Sequence, residues 1–156
     1  MNNSGIPVAG SENNKERPVL GYLSGTFDLF HIGHLNLIAR ASGMCDYLIV
    51  GVHPTASFKN GTTFIPFEER KAIIAALKYV DRVVDASDED TTDWERFGFD
   101  RLFVGDDYKG SERFAYYEEY FKDKGVEIVY FPYTQSTSST QIRKTVMLKT
   151  KDIKLD

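Results

Sequence analysis

The sequence predicts an α/β protein, a single Rossmann-like, doubly wound domain with a five-stranded, mainly parallel sheet. Short apolar runs alternate along the chain with segments whose apolar residues recur at helical spacing. The runs are continuous, as from Tyr47 to Val52, which is typical of strands that are covered on both faces. The strand, helix and strand between Val19 and Val52 form a βαβ unit, whose crossover is almost always right-handed.

The individual elements follow from the positions of apolar runs and turn residues. Strands are predicted at 19–24, 47–52, 82–85, 101–104 and 127–131. Helices are predicted at 32–42, 67–79, 114–124 and from 138 or 139 to 147, with a single helical turn at 94–97. Gly43 and Gly125 are placed to end helices, and Glu68 and Glu69 suit the positive end of the second helix. The segments 53–66 and 86–93 are predicted to be loops, the first long enough to act as a flap.

Length and charge limit the kinds of function that the chain can have. A chain of 156 residues is the size of one domain, predicted at 19–148 between a disordered tail at 1–18 and a C-terminal tail at 149–156. The net charge is −4, from 19 Lys+Arg and 23 Asp+Glu, which argues against a surface that coats nucleic acid. Any anionic ligand must therefore be bound by a local site.

Cysteine content and hydropathy indicate the compartment. Cys45 is the single cysteine, which excludes an intramolecular disulfide and a cysteine-built zinc site and fits a reducing compartment. No apolar run approaches the roughly 18 residues of a membrane span, and no charged-then-apolar leader opens the chain. We therefore expect a cytoplasmic protein with neither a membrane nor a nucleic-acid partner.

The predicted topology brings several polar segments to one edge of the sheet. In a doubly wound sheet the ligand binds beyond the carboxyl ends of the strands, where the strand order reverses. The segments expected to meet there are 25–34, the loop that contains Lys59, 105–108 and 132–140.

Two histidines stand where the first helix should begin. His31 and His34 flank Gly33 and, being three residues apart, share a helix face, from which both rings can donate to one phosphate. The free N–H groups of a helix start favour the same anion. The alternatives are two surface or capping histidines, or a metal site with Asp28 or Cys45 as a third ligand.

Two further segments at this edge each have two interpretations. Gly105, Asp106 and Asp107 follow a strand end, where the carboxylates either recognise a nucleotide or are ordinary turn residues. The hydroxyls at 138–140 either bind phosphate or cap the last helix.

Four segments, taken in their order along the chain, resemble a known family. The segments are 25–34 with its His-x-Gly-His sequence, 77–84, 103–108 and 132–143. Together they are similar to the cytidylyltransferase branch of the His-x-Gly-His nucleotidyltransferase superfamily, and most similar to its glycerol-3-phosphate cytidylyltransferases. The resemblance covers most of 21–145.

The resemblance implies an activity and a set of site residues. The activity is transfer of a cytidylyl group from CTP to a small alcohol phosphate, with Mg²⁺ carried by the nucleotide, no metal ligands from the protein and a homodimeric enzyme. The implied catalytic residues are His31, His34 and Lys59. The implied nucleotide-binding residues are Gly25, Thr26, Phe27, Asp28, Gly33, Gly105, Asp106, Thr134, Ser138, Ser139 and Thr140. The implied acceptor-binding residues are Asp28, Arg70, Lys78, Asp107 and Tyr108.

The basic residues in this set also have simpler interpretations. Lys59 is alternatively a solvated loop residue, and Arg70 a member of a surface ion pair along its helix. Lys78 alternatively satisfies only the negative end of the helix dipole.

The chain departs from the family pattern before its last helix. The family commonly has an arginine where this chain has Tyr133, and a Gly-Ile pair where it has Ser136 and Thr137. A guanidinium that could bind phosphate is therefore missing, and Arg143, Lys144 and Arg113 are candidates to replace its charge. Two alternatives remain open. One is an adenylyl- or guanylyltransferase acting on FMN, a heptose phosphate or pantetheine phosphate, and the other is a catalytically weakened nucleotide-binding domain.

Overall fold

Strands and helices alternate along the whole described chain. The computed structural model describes residues 17–56, 61–132 and 138–152. The strands are β1 (Leu20–Gly25), β2 (Tyr47–Val52), β3 (Arg82–Asp85), β4 (Arg101–Gly105) and β5 (Glu127–Phe131). The helices are α1 (Ile32–Ser42), α2 (Phe67–Ala75), α3 (Asp90–Phe97), α4 (Glu112–Phe121) and α5 (Ser139–Asp152), with a 3₁₀ turn at Asp106–Tyr108.

The strands form one parallel sheet in the order β3-β2-β1-β4-β5. The chain moves outward from β1 to β3, returns to pair β4 with β1, and then continues to β5, so the order reverses between β1 and β4. The predicted α/β class and the doubly wound parallel sheet are confirmed.

Helices cover both faces of the sheet. One core cluster packs α1 and α2 against the sheet through residues such as Leu23, Ile38 and Ile74. The other packs α3 and α4 against the opposite face through residues such as Tyr22 and Phe121. Burial on both faces explains why the strands read as continuous apolar runs.

Two helices differ from their predicted limits because tertiary contacts override local sequence. The second helix is predicted to reach residue 79, but α2 ends at Ala75. The chain then turns at Leu77 and Val80, because Asp81 N must reach the Leu48 carbonyl, to which it donates at 3.0 Å. The predicted loop at 86–93 is partly helical, since α3 begins at Asp90, whose N donates to the Tyr117 hydroxyl of α4 at 3.1 Å.

The limits of the last two helices also differ from those predicted. The fourth helix lies at 112–121 instead of 114–124, because Ser111 caps it by accepting from Phe114 N at 3.3 Å. The last helix was predicted to end near residue 147, but α5 continues to Asp152. In the described residues no helix is long and apolar enough to cross a bilayer.

Candidate active site

A cavity of about 170 Å³ lies at the carboxyl ends of β1 and β4, where the strand order reverses. Its polar lining comes from the ends of β1 and β2, from α3 and from α4, and its apolar lining from β4 and α4. The lining residues are Ser24, Gly25, Thr26, His53, Asp90, Phe103, Val104, Tyr108, Arg113 and Phe114. The position agrees with the rule that doubly wound sheets bind ligands at this point.

His31 and His34 form a capping box at the start of α1. His31 Nδ1 accepts from Gly33 N at 3.0 Å, and His34 Nδ1 accepts from His31 N at 3.4 Å. The two rings are stacked, with centroids 3.8 Å apart. A ring nitrogen that accepts a hydrogen bond carries no proton, so in each neutral ring the proton is on Nε2. The Nε2–H groups of His31 and His34 are therefore two neighbouring donors that take no part in capping the helix.

Burial keeps these rings neutral. It lowers the pKa of His31, and it lowers the pKa of His34 to about 4, with the charge of His31 adding to the effect and Asp28 opposing it. A protonated pair of stacked rings would also lose the Nδ1 acceptors that the helix start uses. The capping and phosphate-binding interpretations of the two histidines are thus compatible, since Nδ1 caps the helix while Nε2 stays available.

The segment between β1 and α1 is held in an unusual backbone conformation. Phe27 and Leu29 have φ of 53° and 51°, values that non-glycine residues rarely adopt. The Phe27 ring packs edge-on against His34, 5.4 Å between centroids, and also fills the space where a side chain at Gly25 would stand. Such strained positions cluster at functional sites, and here the strain fixes the ring that supports His34.

Asp28 connects this segment to two others. Its carboxylate is buried and accepts from Phe64 N at 2.9 Å, from Ile65 N at 3.0 Å and from Arg143 Nη2 at 2.7 Å. Burial alone would raise the pKa of Asp28, but these hydrogen bonds and the guanidinium lower it below its usual value. The described contacts of the carboxylate are with protein groups, so Asp28 orders the site, and its predicted direct contact with a ligand stays a prediction.

Arg70 is a second buried ordering residue and not a surface cation. It is 1% exposed, with Nε donating to the carbonyl of Ile65, Nη1 to those of Thr26 and His53, and Nη2 to that of Pro54, at 2.7–2.9 Å. These bonds join the strand ends of β1 and β2 to the segment before α2. The alternative surface ion pair is therefore wrong for this position, because the guanidinium is buried and bound to backbone carbonyls, and the predicted acceptor contact stays a prediction.

Lys78 lies at the amino ends of the strands, whereas the cavity lies at their carboxyl ends. It follows α2 and precedes β3, next to the bond that Asp81 N makes to Leu48 at the amino end of β2. Its Nζ lies 5.1 Å from the centroid of the Tyr79 ring. Lys78 thus lies away from the cavity, and its predicted acceptor contact stays a prediction.

The turn after β4 contributes to the cavity through Tyr108. The Tyr108 ring lies 5.7 Å from that of Phe114 and lines the cavity. Any side chain at Gly105 would meet Asp107 Oδ1, since a Cβ there would lie 2.6 Å from it. A side chain at Gly105 would therefore displace the Asp107 carboxylate from its present position.

The start of α5 combines capping with a contact to the first loop. Ser138 Oγ accepts from Gln141 N at 3.1 Å, which is the predicted capping role. Ser139 Oγ donates to the Asp28 carbonyl at 2.7 Å, and Thr140 is exposed in the first turn. A phosphate-binding role for these hydroxyls stays a prediction.

Some predicted residues cannot be located. Lys59, Tyr133 and Thr134 lie outside the described residues. Of the proposed replacements for the missing arginine, Arg143 is paired with Asp28, whereas Arg113 lines the cavity and Lys144 is exposed.

Three polar residues of the cavity were not identified from the sequence, namely Ser24, His53 and Asp90. Ser24 and His53 stand at the carboxyl ends of β1 and β2, so the strand-end rule could have identified both. Asp90 had no comparable signal, because it lay within an acidic stretch predicted to be a loop.

The described residues contain no group of three or more His, Cys, Asp and Glu side chains arranged to hold a metal ion. A metal site with Asp28 and the two histidines is also disfavoured by their contacts, since Asp28 is bound to Arg143 and both Nδ1 atoms accept backbone hydrogen bonds.

Comparisons with known proteins agree on one family. A family model described as Cytidylyltransferase-like matches residues 22–145. The chain is 37% identical over 125 residues to glycerol-3-phosphate cytidylyltransferase of Bacillus spizizenii. The matched region covers 77% of this chain and 91% of that protein. It is 34% identical over 101 residues to ethanolamine-phosphate cytidylyltransferase of Arabidopsis thaliana, covering 60% of this chain and 24% of that protein. The fold is similar to a solved lipopolysaccharide core biosynthesis protein from Thermoplasma volcanium, with a TM-score of 0.62, 21% identity, and coverage of 78% of this chain and 100% of that one.

Proposed function

The chain belongs to the cytidylyltransferase-like family, and on that premise we propose that it transfers a cytidylyl group from CTP to glycerol 3-phosphate or a similar polyol phosphate. The products are a CDP-alcohol and pyrophosphate. The proposal is supported by the glycerol-3-phosphate cytidylyltransferases among its relatives, one of which it matches over 91% of that protein's length.

One observation carries the chemistry, the pair of Nε2–H donors on His31 and His34. Their Nδ1 atoms accept backbone hydrogen bonds, and the rings are stacked at the start of α1. Nucleotidyl transfer places extra negative charge on phosphate oxygens in the transition state, so fixed donors accelerate it. The positive end of the α1 dipole acts in the same direction.

The reaction is a direct displacement. A phosphate oxygen of the acceptor attacks the α-phosphorus of CTP, forming a new P–O bond while the bond between the α-phosphorus and the bridging oxygen breaks. The bonding electrons leave with pyrophosphate. His31 and His34 stabilise the oxygens of the transferring group, and no covalent enzyme intermediate is needed.

Lys59 belongs to the proposal as a further cation for the phosphates, placed by its sequence position in the flap. The flap is tied to the site at its far end, where Asp28 holds Phe64 and Ile65. We also propose that Mg²⁺ arrives bound to the phosphates of CTP, as is usual for a cation that keeps few protein ligands.

The cavity has room for a small acceptor, since its volume is about 170 Å³. We therefore place the carbon chain of a small polyol phosphate in the cavity, next to the segment from Gly25 to Phe27 that leads to the histidines.

Two properties of the protein follow from the family and composition and are part of the proposal. The enzyme is a homodimer, as the resemblance implies. It acts in the cytoplasm, where its single cysteine, an unpaired thiol, would remain reduced.

Turnover with a panel of substrates tests the proposal. Purified protein is incubated with CTP, ATP or GTP and with each of several polyol, sugar and amino-alcohol phosphates, and nucleotide–alcohol products are separated by chromatography. We expect product with CTP and a polyol phosphate. A preference for ATP or GTP would contradict the choice of nucleotide. Nucleotide binding without product, seen as a raised melting temperature alone, would favour the catalytically weakened domain.

A further inference from the structure

Two oppositely charged side chains line the cavity from different helices. Asp90 is the first residue of α3, and Arg113 lies in the first turn of α4. They do not form an ion pair with each other, and Arg113 instead pairs with Glu89, Nη2 to Oε1 at 3.3 Å. Asp90 and Arg113 can each contact a ligand in the cavity through polar atoms that these contacts leave without a described partner.

One oxygen of Asp90 is available to a ligand. Oδ1 accepts from Ser24 Oγ at 2.9 Å, whereas Oδ2 accepts no hydrogen bond from the residues that the structure describes. Those residues include no fully buried side-chain oxygen that lacks a partner, so Oδ2 is not fully buried. Ser24 thus orients the carboxyl group of a residue that lines the cavity and leaves one oxygen without a described partner.

Arg113 is held in place by a chain of hydrogen bonds from its own helix. Glu89, its partner, accepts from Tyr117 Oη at 2.6 Å, and the same hydroxyl accepts from Asp90 N at 3.1 Å. The Arg113 side chain is 46% exposed. Only one of its guanidinium nitrogens donates to a described protein group, so the others can donate to a ligand.

The combination of charges distinguishes between classes of acceptor. A carboxylate among the rings of Phe103, Tyr108 and Phe114 would suit an ammonium group. Arg113 opposes that choice, because a second cation in a small cavity is repelled and cannot accept any of its hydrogen bonds. A hydroxyl group suits both side chains, since it can donate to Asp90 and accept from Arg113.

We infer that Asp90 and Arg113 are specificity-determining residues that select an uncharged, hydroxylated acceptor chain and reject amino-alcohol phosphates. The inference rests on the proposed function and names its substrate class. Asp90 supplies affinity for the hydroxyls, and Arg113 supplies most of the discrimination against an ammonium group.

Kinetics with two acceptors test this inference. The measured quantity is kcat/KM for glycerol 3-phosphate and for ethanolamine phosphate at saturating CTP, together with KM for CTP. Arg113→Gln should raise the ratio of ethanolamine phosphate to glycerol 3-phosphate by about tenfold or more, while Arg113→Lys, which keeps the charge, should leave that ratio near the wild-type value. Asp90→Asn should lower kcat/KM for glycerol 3-phosphate by about tenfold with KM for CTP within about twofold.

A matched arginine outside the cavity provides the control. Arg82 begins β3 at the opposite edge of the sheet and packs over the Phe97 ring, so Arg82→Gln should leave the ratio unchanged. If Arg113→Gln behaves like this control, or if Asp90→Asn alters only KM for CTP, the inference is overturned while the proposed function stands. If the wild-type protein forms no product with any acceptor, the proposed function fails, and the inference fails with it.

Discussion

Replacing His34 tests the role of the paired histidines in the transition state. His34→Ala removes one Nε2–H donor and the ring that stacks on His31 at 3.8 Å. Removal of a single donor from an oxyanion site costs about 2.7–4 kcal/mol, so kcat should fall by about 10²–10³-fold. The loss should appear in kcat more than in KM for CTP, because the extra charge develops only in the transition state.

Two amide substitutions separate the roles of the two ring nitrogens of His34. The amide of glutamine reaches the place of Nε2, and that of asparagine the place of Nδ1, which accepts from His31 N. His34→Gln should therefore retain more activity than His34→Asn or His34→Ala. The assay is initial-rate formation of pyrophosphate, with thermal unfolding to check that each variant is folded. A kcat for His34→Ala within about tenfold of wild type would contradict a role for the His34 donor in the transition state, and so would a His34→Gln variant as slow as His34→Ala.

Three further predictions concern stability. Because the pKa of His34 is lowered to about 4 in the folded protein, the unfolded chain binds more protons between pH 4 and 6.5. The contribution of His34 to the free energy of unfolding, about 3 kcal/mol, should be present above pH 6.5 and lost as the pH falls to 4. Urea unfolding at several pH values measures this change. A His34→Gln variant whose stability has the same dependence on pH would contradict the prediction. Arg70→Lys should lower the free energy of unfolding by at least about 2 kcal/mol, because one ammonium cannot serve four carbonyl oxygens; an unchanged urea midpoint would count against the ordering role. Gly51→Ala places a Cβ 2.3 Å from the Tyr22 hydroxyl and should cost about 1–3 kcal/mol by displacing that hydroxyl from Asp93, which it contacts at 2.6 Å; a melting temperature equal to that of wild type would refute it.

The fold was predictable because its signals are local and repeated. Continuous apolar runs such as 47–52 identify buried parallel strands, and their alternation with helices leaves few arrangements of the sheet. The limits of α2 and α3 were not predictable in the same way. They depend on contacts made after folding, such as the bond from Asp81 N to Leu48.

The candidate site was predictable in part. His31 and His34 carry a recognisable spacing and stand at a helix start, which is enough to predict donors for an anion. The roles of Asp28 and Arg70 were not predictable, because a charged residue near a motif looks the same in sequence whether it contacts a ligand or the backbone. Their partners, including Arg143 and Pro54, lie far along the chain or offer only backbone carbonyls.

The positions of Asp90 and Arg113 in the cavity also could not be predicted from the sequence. Neither belongs to a motif at a strand end, and both reach the cavity only because α3 and α4 pack on one face of the sheet. The reaction class was thus inferred from the histidines and the resemblance. The acceptor class depends on side chains that only the fold brings together.

Direct detection of cytidylyl transfer tests whether the reaction takes place at the histidine pair. Phosphorus NMR of a mixture of CTP, glycerol 3-phosphate, Mg²⁺ and the purified protein should show a new pyrophosphate diester and free pyrophosphate appearing in equal amounts. The same mixture with the His34→Ala variant should react about 10²–10³-fold more slowly. Loss of CTP without the diester, or equal rates for the two proteins, would contradict transfer at the histidine pair.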